Sequence, residues 1–166
     1  LYIASRRGRE DAVRILIKHG ADVNEAITGG DTALYVAASE GYANICRLLL
    51  NAGANKEAKT DDLTPLSIAI YFGHFETVKL LLEYKAEYLA DTSHYALRLA
   101  EFLFSHPEER RGIKKANEYK QIKDYLMDHY FKNIDNLITT FNNNFASNKT
   151  FEVVVVRYSE DLSWLK

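Results

Sequence analysis

The chain is poor in the residues that usually announce chemistry. Its 166 residues include one cysteine, one methionine and one tryptophan. A lone Cys46 excludes an internal disulfide and any zinc site built on paired thiolates. It fits a buried apolar role in a reducing, cytoplasmic setting. Charge of one sign is also lacking. Lys and Arg number 21 against 23 Asp and Glu, a formal net charge of −2. That balance argues against a nucleic-acid binder, which tracks phosphates with a strong basic excess. No apolar run approaches the roughly 18 residues that cross a bilayer, so no membrane contact is expected. The opening "LYIASRRGRE" places arginines after the apolar residues, the reverse of a signal peptide. It begins on Leu, and a segment ahead of it is expected. HExxH, GxSxG, P-loop and GxGxxG patterns are all missing, and the histidines at 19, 74, 94, 106 and 129 have no metal spacing. No catalytic residue, cofactor or metal is therefore expected.

What the chain does have is repetition. Apolar residues make up 47% and charged residues 27%, a globular balance. "LYIASRRGREDAVRILIKHGADVN" (1–24), "LYVAASEGYANICRLLLNAGANKE" (34–57) and "LSIAIYFGHFETVKLLLEYKAEYL" (66–89) align column by column. Gly8, Gly41 and Gly73 share a column; so do Leu16, Leu49 and Leu81, and Val13, Cys46 and Val78. Each unit reads as a short helix with one face of small residues, ended by glycine, then a second helix with apolar residues at a 3.6 period. Gly20 and Gly53 end the second helix. "TGGD" and "TDDL" read as exposed turns joining units.

The segments "TALYVAASEGY", "TPLSIAIYFGH" and "GADVN", at a spacing of 33 and then 32 residues, closely resemble the ankyrin repeat family. The resemblance implies an all-α solenoid of helix–turn–helix units, here about 1–30, 31–62 and 63–91. Two departures stand out. Tyr35 and Ser67 occupy positions where the family often has His, which puts a bracing side-chain hydrogen bond in doubt. Lys85 stands where Gly would end the third unit's second helix, so a looser or different turn is expected there.

Residues 92–131 read as a fourth, divergent unit. "SHYALRLAEFLF" and "NEYKQIKDYLMDHY" form its helices, with Tyr119, Ile122, Tyr125 and Leu126 on the inner face of the second. Pro107 and Gly112 break the longer connection between them, whose Glu108, Glu109, Arg110, Arg111, Lys114 and Lys115 read as a solvated loop of mixed charge. Terminal units of a stack are commonly atypical. Ile134, Leu137, Ile138 and Phe141 then have helical spacing, giving a capping helix over 132–141 and a linker over 142–150. "NKT" at 148–150 fits a glycosylation pattern, read as chance.

The end, "FEVVVVRYSEDLSWLK" (151–166), reads as a buried parallel-type strand followed by a helix start with Ser159 as its N-cap. A strand of this kind needs neighbours, so residues 151–166 are expected to be a short trailing β-strand that starts a truncated α/β domain. "VVVVRYSEDLSWL" is similar to the start of an uncharacterised, glycosyltransferase-like family (domain of unknown function 3431). The alternative is that the chain is the targeting front end of a larger enzyme, glycosyltransferase-like if the resemblance holds; ligands of open α/β sheets bind beyond the carboxyl ends of the strands, which would put Arg157, Tyr158, Glu160 and Asp161 near its site.

The favoured expectation is a monomeric module that binds a partner protein of unknown identity. Stacked repeats present a concave surface from turn tips and first helices. The columns just before each helix-ending glycine supply Arg6 and Arg7, Ser39 and Glu40, then Tyr71 and Phe72. The tips add Thr28, Gly29, Asp31, Thr60, Asp61 and Asp62. Tyr71 is the stronger anchor, because Phe72 has an equal claim to packing on the fourth unit.

Overall fold

The computed structural model describes residues 1–85, 99, 100, 117–129 and 132. Most of the region read as a fourth unit lies outside the described residues. So do the capping helix, the linker and the valine-rich end. By internal contacts the chain divides into two bodies, 1–125 and 126–166. In the second, Lys132 Nζ donates to Asp128 Oδ2 at 2.6 Å, one helical turn apart.

Among residues 1–85 of the first body, six helices follow one another: α1 (Tyr2–Arg6), α2 (Glu10–Lys18), α3 (Ala33–Ser39), α4 (Ala43–Asn51), α5 (Pro65–Tyr71) and α6 (Phe75–Glu83). Residues 117–129 are helical as well. The all-α solenoid expected from the repeats is the observed architecture: α3 packs between α1 and α5, and α4 between α2 and α6.

Local chemistry sets each helix. Thr32 and Thr64 lie in extended backbone, and their hydroxyls accept the N–H of Tyr35 and Ser67, both at 3.2 Å. These N-caps satisfy donors that a helix start leaves unpaired. Pro65 opens α5, where no backbone N–H is needed. The Ser67 hydroxyl stands 3.1 Å from that of Thr64. The third unit therefore has a side-chain brace at the turn without His.

The first helices all end in the same way. Gly8, Gly41 and Gly73 take φ of 65°, 77° and 71°. The next residue then donates back to the helix: Arg9 to Ala4 O, Tyr42 to Ala37 O and His74 to Ala69 O, each at 2.9 Å. This pattern satisfies last-turn carbonyls and needs a left-handed residue. Gly20 and Gly53 close α2 and α4 likewise. Lys85 corrects the expectation of a looser turn: it adopts φ 57°, and its N–H reaches Leu82 O at 2.9 Å. The glycine's backbone is kept with a lysine in place.

The connections between units are short hairpins. Ala26 pairs with Thr32, and Thr60 with Leu63. Asp61 and Asp62 fill the two-residue tip at φ 48° and 65°, a turn whose handedness matches paired strands and which Asp tolerates.

Packing follows the columns. Leu34, Ala37, Ala38, Cys46, Leu49, Leu66, Ala69, Ile70, Val78 and Leu81 are buried. Ala37, Ala38 and Ala69 keep the first helices close together. Each large apolar side chain fully removed from water contributes about 1.5–3 kcal/mol. Polar ties also cross between units. Asn24 Oδ1 accepts the Asn55 N–H at 2.6 Å while its Nδ2 donates to Gly53 O at 3.2 Å. Lys56 Nζ donates to Tyr84 O at 2.8 Å.

A second device joins neighbouring units. The ring of Tyr42 lies on Gly8, that of His74 on Gly41 and that of Tyr119 on Gly73; a Cβ on those glycines would stand 2.9, 2.5 and 3.3 Å from ring atoms. Two of the rings are also tethered. The Tyr119 hydroxyl donates to Tyr71 O at 2.6 Å, and His74 Nε2 lies 2.9 Å from Ser39 O. A carbonyl only accepts, so that histidine nitrogen carries the hydrogen. Ser39 and Tyr71 occupy equivalent positions, so the same carbonyl is used twice.

Candidate interaction surface

The residues singled out in the sequence fall into two groups at opposite ends of the first helices. One group sits on the hairpins ahead of α3 and α5. There Thr28, Gly29, Asp61 and Asp62 are exposed and Asp31 is half-buried, but Thr60, expected at the tip, is buried with its hydroxyl donating to Gly30 O at 3.2 Å. The other sits at the helix ends. Arg6 and Arg7 finish α1, Ser39 and Glu40 finish α3, and Tyr71 and Phe72 finish α5. A seven-residue helix is only about 10 Å long at 1.5 Å per residue. The two groups are thus separated by about the length of one first helix.

At the helix ends, Arg6, Arg7 and Glu40 are exposed. Ser39 is half-buried and its hydroxyl donates to Val36 O at 2.9 Å, so much of its polar capacity is used locally. Tyr71 and Phe72 are half-buried, and their rings meet edge to face with centroids 5.1 Å apart. Phe72 also lies 6.3 Å from the His74 ring. This geometry fixes two partly exposed aromatics against each other. The bond from Tyr119 goes to the backbone carbonyl of Tyr71, which leaves the Tyr71 side chain outside that tether.

On the hairpin side, Tyr2 and Tyr35 both interact with Asp31, although sequence reasoning missed them. The Tyr2 hydroxyl donates to Asp31 Oδ2 at 3.4 Å. The Tyr35 hydroxyl is held above its ordinary pKa, first by burial and then by the carboxylates of Asp31 and Asp61. The signal is present in the alignment. Tyr2 and Tyr35 share the column that holds Ser67 in the third unit, a column that draws notice only for its missing His.

Catalytic geometry does not emerge among the described residues. No three His, Cys, Asp or Glu side chains come together as a metal-binding group there. Open clefts of about 310 Å³ and 290 Å³ lie at successive helix turns, one lined by His74, Thr77 and Glu118 and the other by Gly8, Tyr42 and Asn44. Cys46 is buried and its thiol is pushed up to about 12 by burial, which leaves it poor in the thiolate that reactions need. Among the described residues no helix is long and apolar enough to cross a membrane.

Comparison with known proteins agrees with this geometry. A family model described as ankyrin repeats (3 copies) matches residues 1–92. Among curated proteins, human "Protein phosphatase 1 regulatory subunit 27" is 39% identical over 62 residues, covering 37% of this chain and 40% of that protein. Human "Rabankyrin-5" is 32% identical over 114 residues, covering 57% of this chain and 10% of that protein. Human "SH3 and multiple ankyrin repeat domains protein 2" is 33% identical over 86 residues, covering 51% and 5%. The chain thus spans less than half the length of each of these relatives. The likeness of residues 151–166 to a glycosyltransferase-like family finds no support in these comparisons.

Proposed function

Because the chain belongs to the ankyrin repeat family, we propose that it is a non-catalytic module that binds a partner protein across the strip between its hairpin tips and the ends of its first helices. The observation that carries this reading is the Tyr71–Phe72 pair: two half-exposed aromatics, held edge to face, beside helix-end charges. Large rings with restricted motion lose little entropy on binding and serve as anchors at interfaces. Asp31, Asp61 and Asp62 at the other margin give the strip a polar rim that steers encounter more than it holds. Two of the relatives, a phosphatase regulatory subunit and a protein with multiple ankyrin repeat domains, are of the same general kind. The alternative of a front end to a larger enzyme has no feature of the described residues in its favour.

A photo-reactive amino acid placed in turn at Tyr71, Asp61 and Arg7 should cross-link a partner in cell extract. The same probe at Glu83, an exposed position at the end of α6, should not. Equal cross-linking from Glu83 would remove the strip from the reading.

A further inference from the structure

Three apolar side chains on the first unit break the pattern of the other two. Ile3 is 65% exposed, while its equivalents Val36 and Ile68 are each 6% exposed. Leu16 is 36% exposed, while Leu49 and Leu81 are fully buried. Ile15, 57% exposed, stands beside them on α2. Sequence and local backbone are alike in the three units, so something outside the unit makes the difference. The first and second units each have a neighbour on their following side. Among the described residues, only the second of these two also has a neighbour on its preceding side, where α1 packs on α3 and α2 on α4. It follows that the preceding unit is what buries Val36 and Leu49.

The same face of the first unit is therefore the periodic continuation of an interface that the molecule already uses twice. A solvent-facing end would be expected to carry polar side chains in these columns. Instead Ile3, Ile15 and Leu16 keep the apolar character of an inner unit, and such patches mark interaction surfaces. We infer that this face docks a further helix–turn–helix unit of the same repeat, supplied by the same polypeptide ahead of Leu1. The inference is independent of the strip proposed for partner binding, because it rests on different residues. The occupant's chemistry can be read from the first unit's own following side. It needs small residues on its first helix, to let α1 approach, and an aliphatic second helix to cover Leu16.

The test uses the full-length product of the gene. Ile3→Cys and Leu16→Cys variants are exposed to a thiol-alkylating reagent, with Glu83→Cys as the open reference and the native Cys46 as the buried one. The expected result is alkylation at least ten-fold slower at positions 3 and 16 than at position 83, at every protein concentration. Rates at 3 and 16 equal to that at 83 would overturn the inference. Protection that disappears on dilution would also overturn it, because a second copy would then be the cover. Should either cysteine variant misfold, amide exchange of the unsubstituted protein decides the same question. The α1 amides should exchange as slowly as those of α3; exchange faster by a hundred-fold would leave the face open and overturn the inference.

Discussion

The glycines that end the first helices and those that end the second helices look alike in the alignment, yet they answer to different constraints. Gly8, Gly41 and Gly73 are left-handed and also pressed by a ring from the next unit. Gly20 and Gly53 are equally left-handed, but a Cβ on either would meet nothing within 4 Å. The first kind is fixed twice, by backbone and by space. The second is fixed once, by backbone alone. This explains why the third unit can place Lys85 at the end of α6 while Gly73 stays glycine. A left-handed non-glycine residue costs about 1–2 kcal/mol, which a stack can absorb. A side chain between two packed units adds a steric cost that has no outlet.

Substitutions can break this contrast. The largest effect is expected at Gly41→Ala, where the new methyl would stand 2.5 Å from the His74 ring. Left-handed strain and overpacking together should lower stability by about 3 kcal/mol, read from chemical denaturation. Introducing Gly41→Ala into a His74→Ala background should reduce its cost toward the backbone part alone. Strict additivity of the two changes would show that the ring is not the obstacle. Gly53→Ala comes next, with a loss of about 1–2 kcal/mol from backbone strain only. A loss as large as that at Gly41 would dissolve the distinction.

Lys85→Gly runs in the opposite direction. Relief of the strain at φ 57° should raise stability by about 0.5–1 kcal/mol, the gain being limited by glycine's greater freedom in the unfolded chain. A drop in the thermal midpoint would mean that the lysine side chain contributes something the turn geometry does not reveal. A similarly modest stability change, this time a loss, is expected at Tyr71→Ala. It removes a ring pair of about 0.5–1.5 kcal/mol but leaves the carbonyl that accepts from Tyr119. Capture of a partner should nevertheless fall sharply. A large fall in thermal midpoint with capture unchanged would make Tyr71 a packing residue.

The repeat was legible because its causes are local. The glycines that end the helices before α6, the threonines that open the second and third units and the recurring aliphatic columns each need only a few neighbouring residues to act. The Asp61-Asp62 tip is legible as a turn for the same reason. The ring seats were not legible, since Gly41 and His74 are far apart in sequence and meet only through stacking. Tyr42 and His74 at least follow a glycine directly. Tyr119 follows none, so its place on Gly73 had no local signature. The tethers to Ser39 O and Tyr71 O were hidden too, because backbone carbonyls leave no mark in a sequence. Of the candidate strip, the turn tips and helix ends came from column position alone. Tyr2 and Tyr35 were overlooked because their column was judged by the histidine it lacked.

The neighbour-to-neighbour packing of α1 on α3 on α5, and of α2 on α4 on α6, also has a mechanical side. A pulling force applied to the two ends meets these junctions in series. Every junction then carries the same load, and the weakest junction sets the yield point. Gly8 and Gly41 are 33 residues apart, so each released unit would add roughly 110 Å of extended chain. Stretched singly, the molecule should lengthen in steps of about that size. The junction where Tyr42, itself 37% exposed, rests on Gly8 should yield before the one where His74 is wedged on Gly41 and tethered to Ser39.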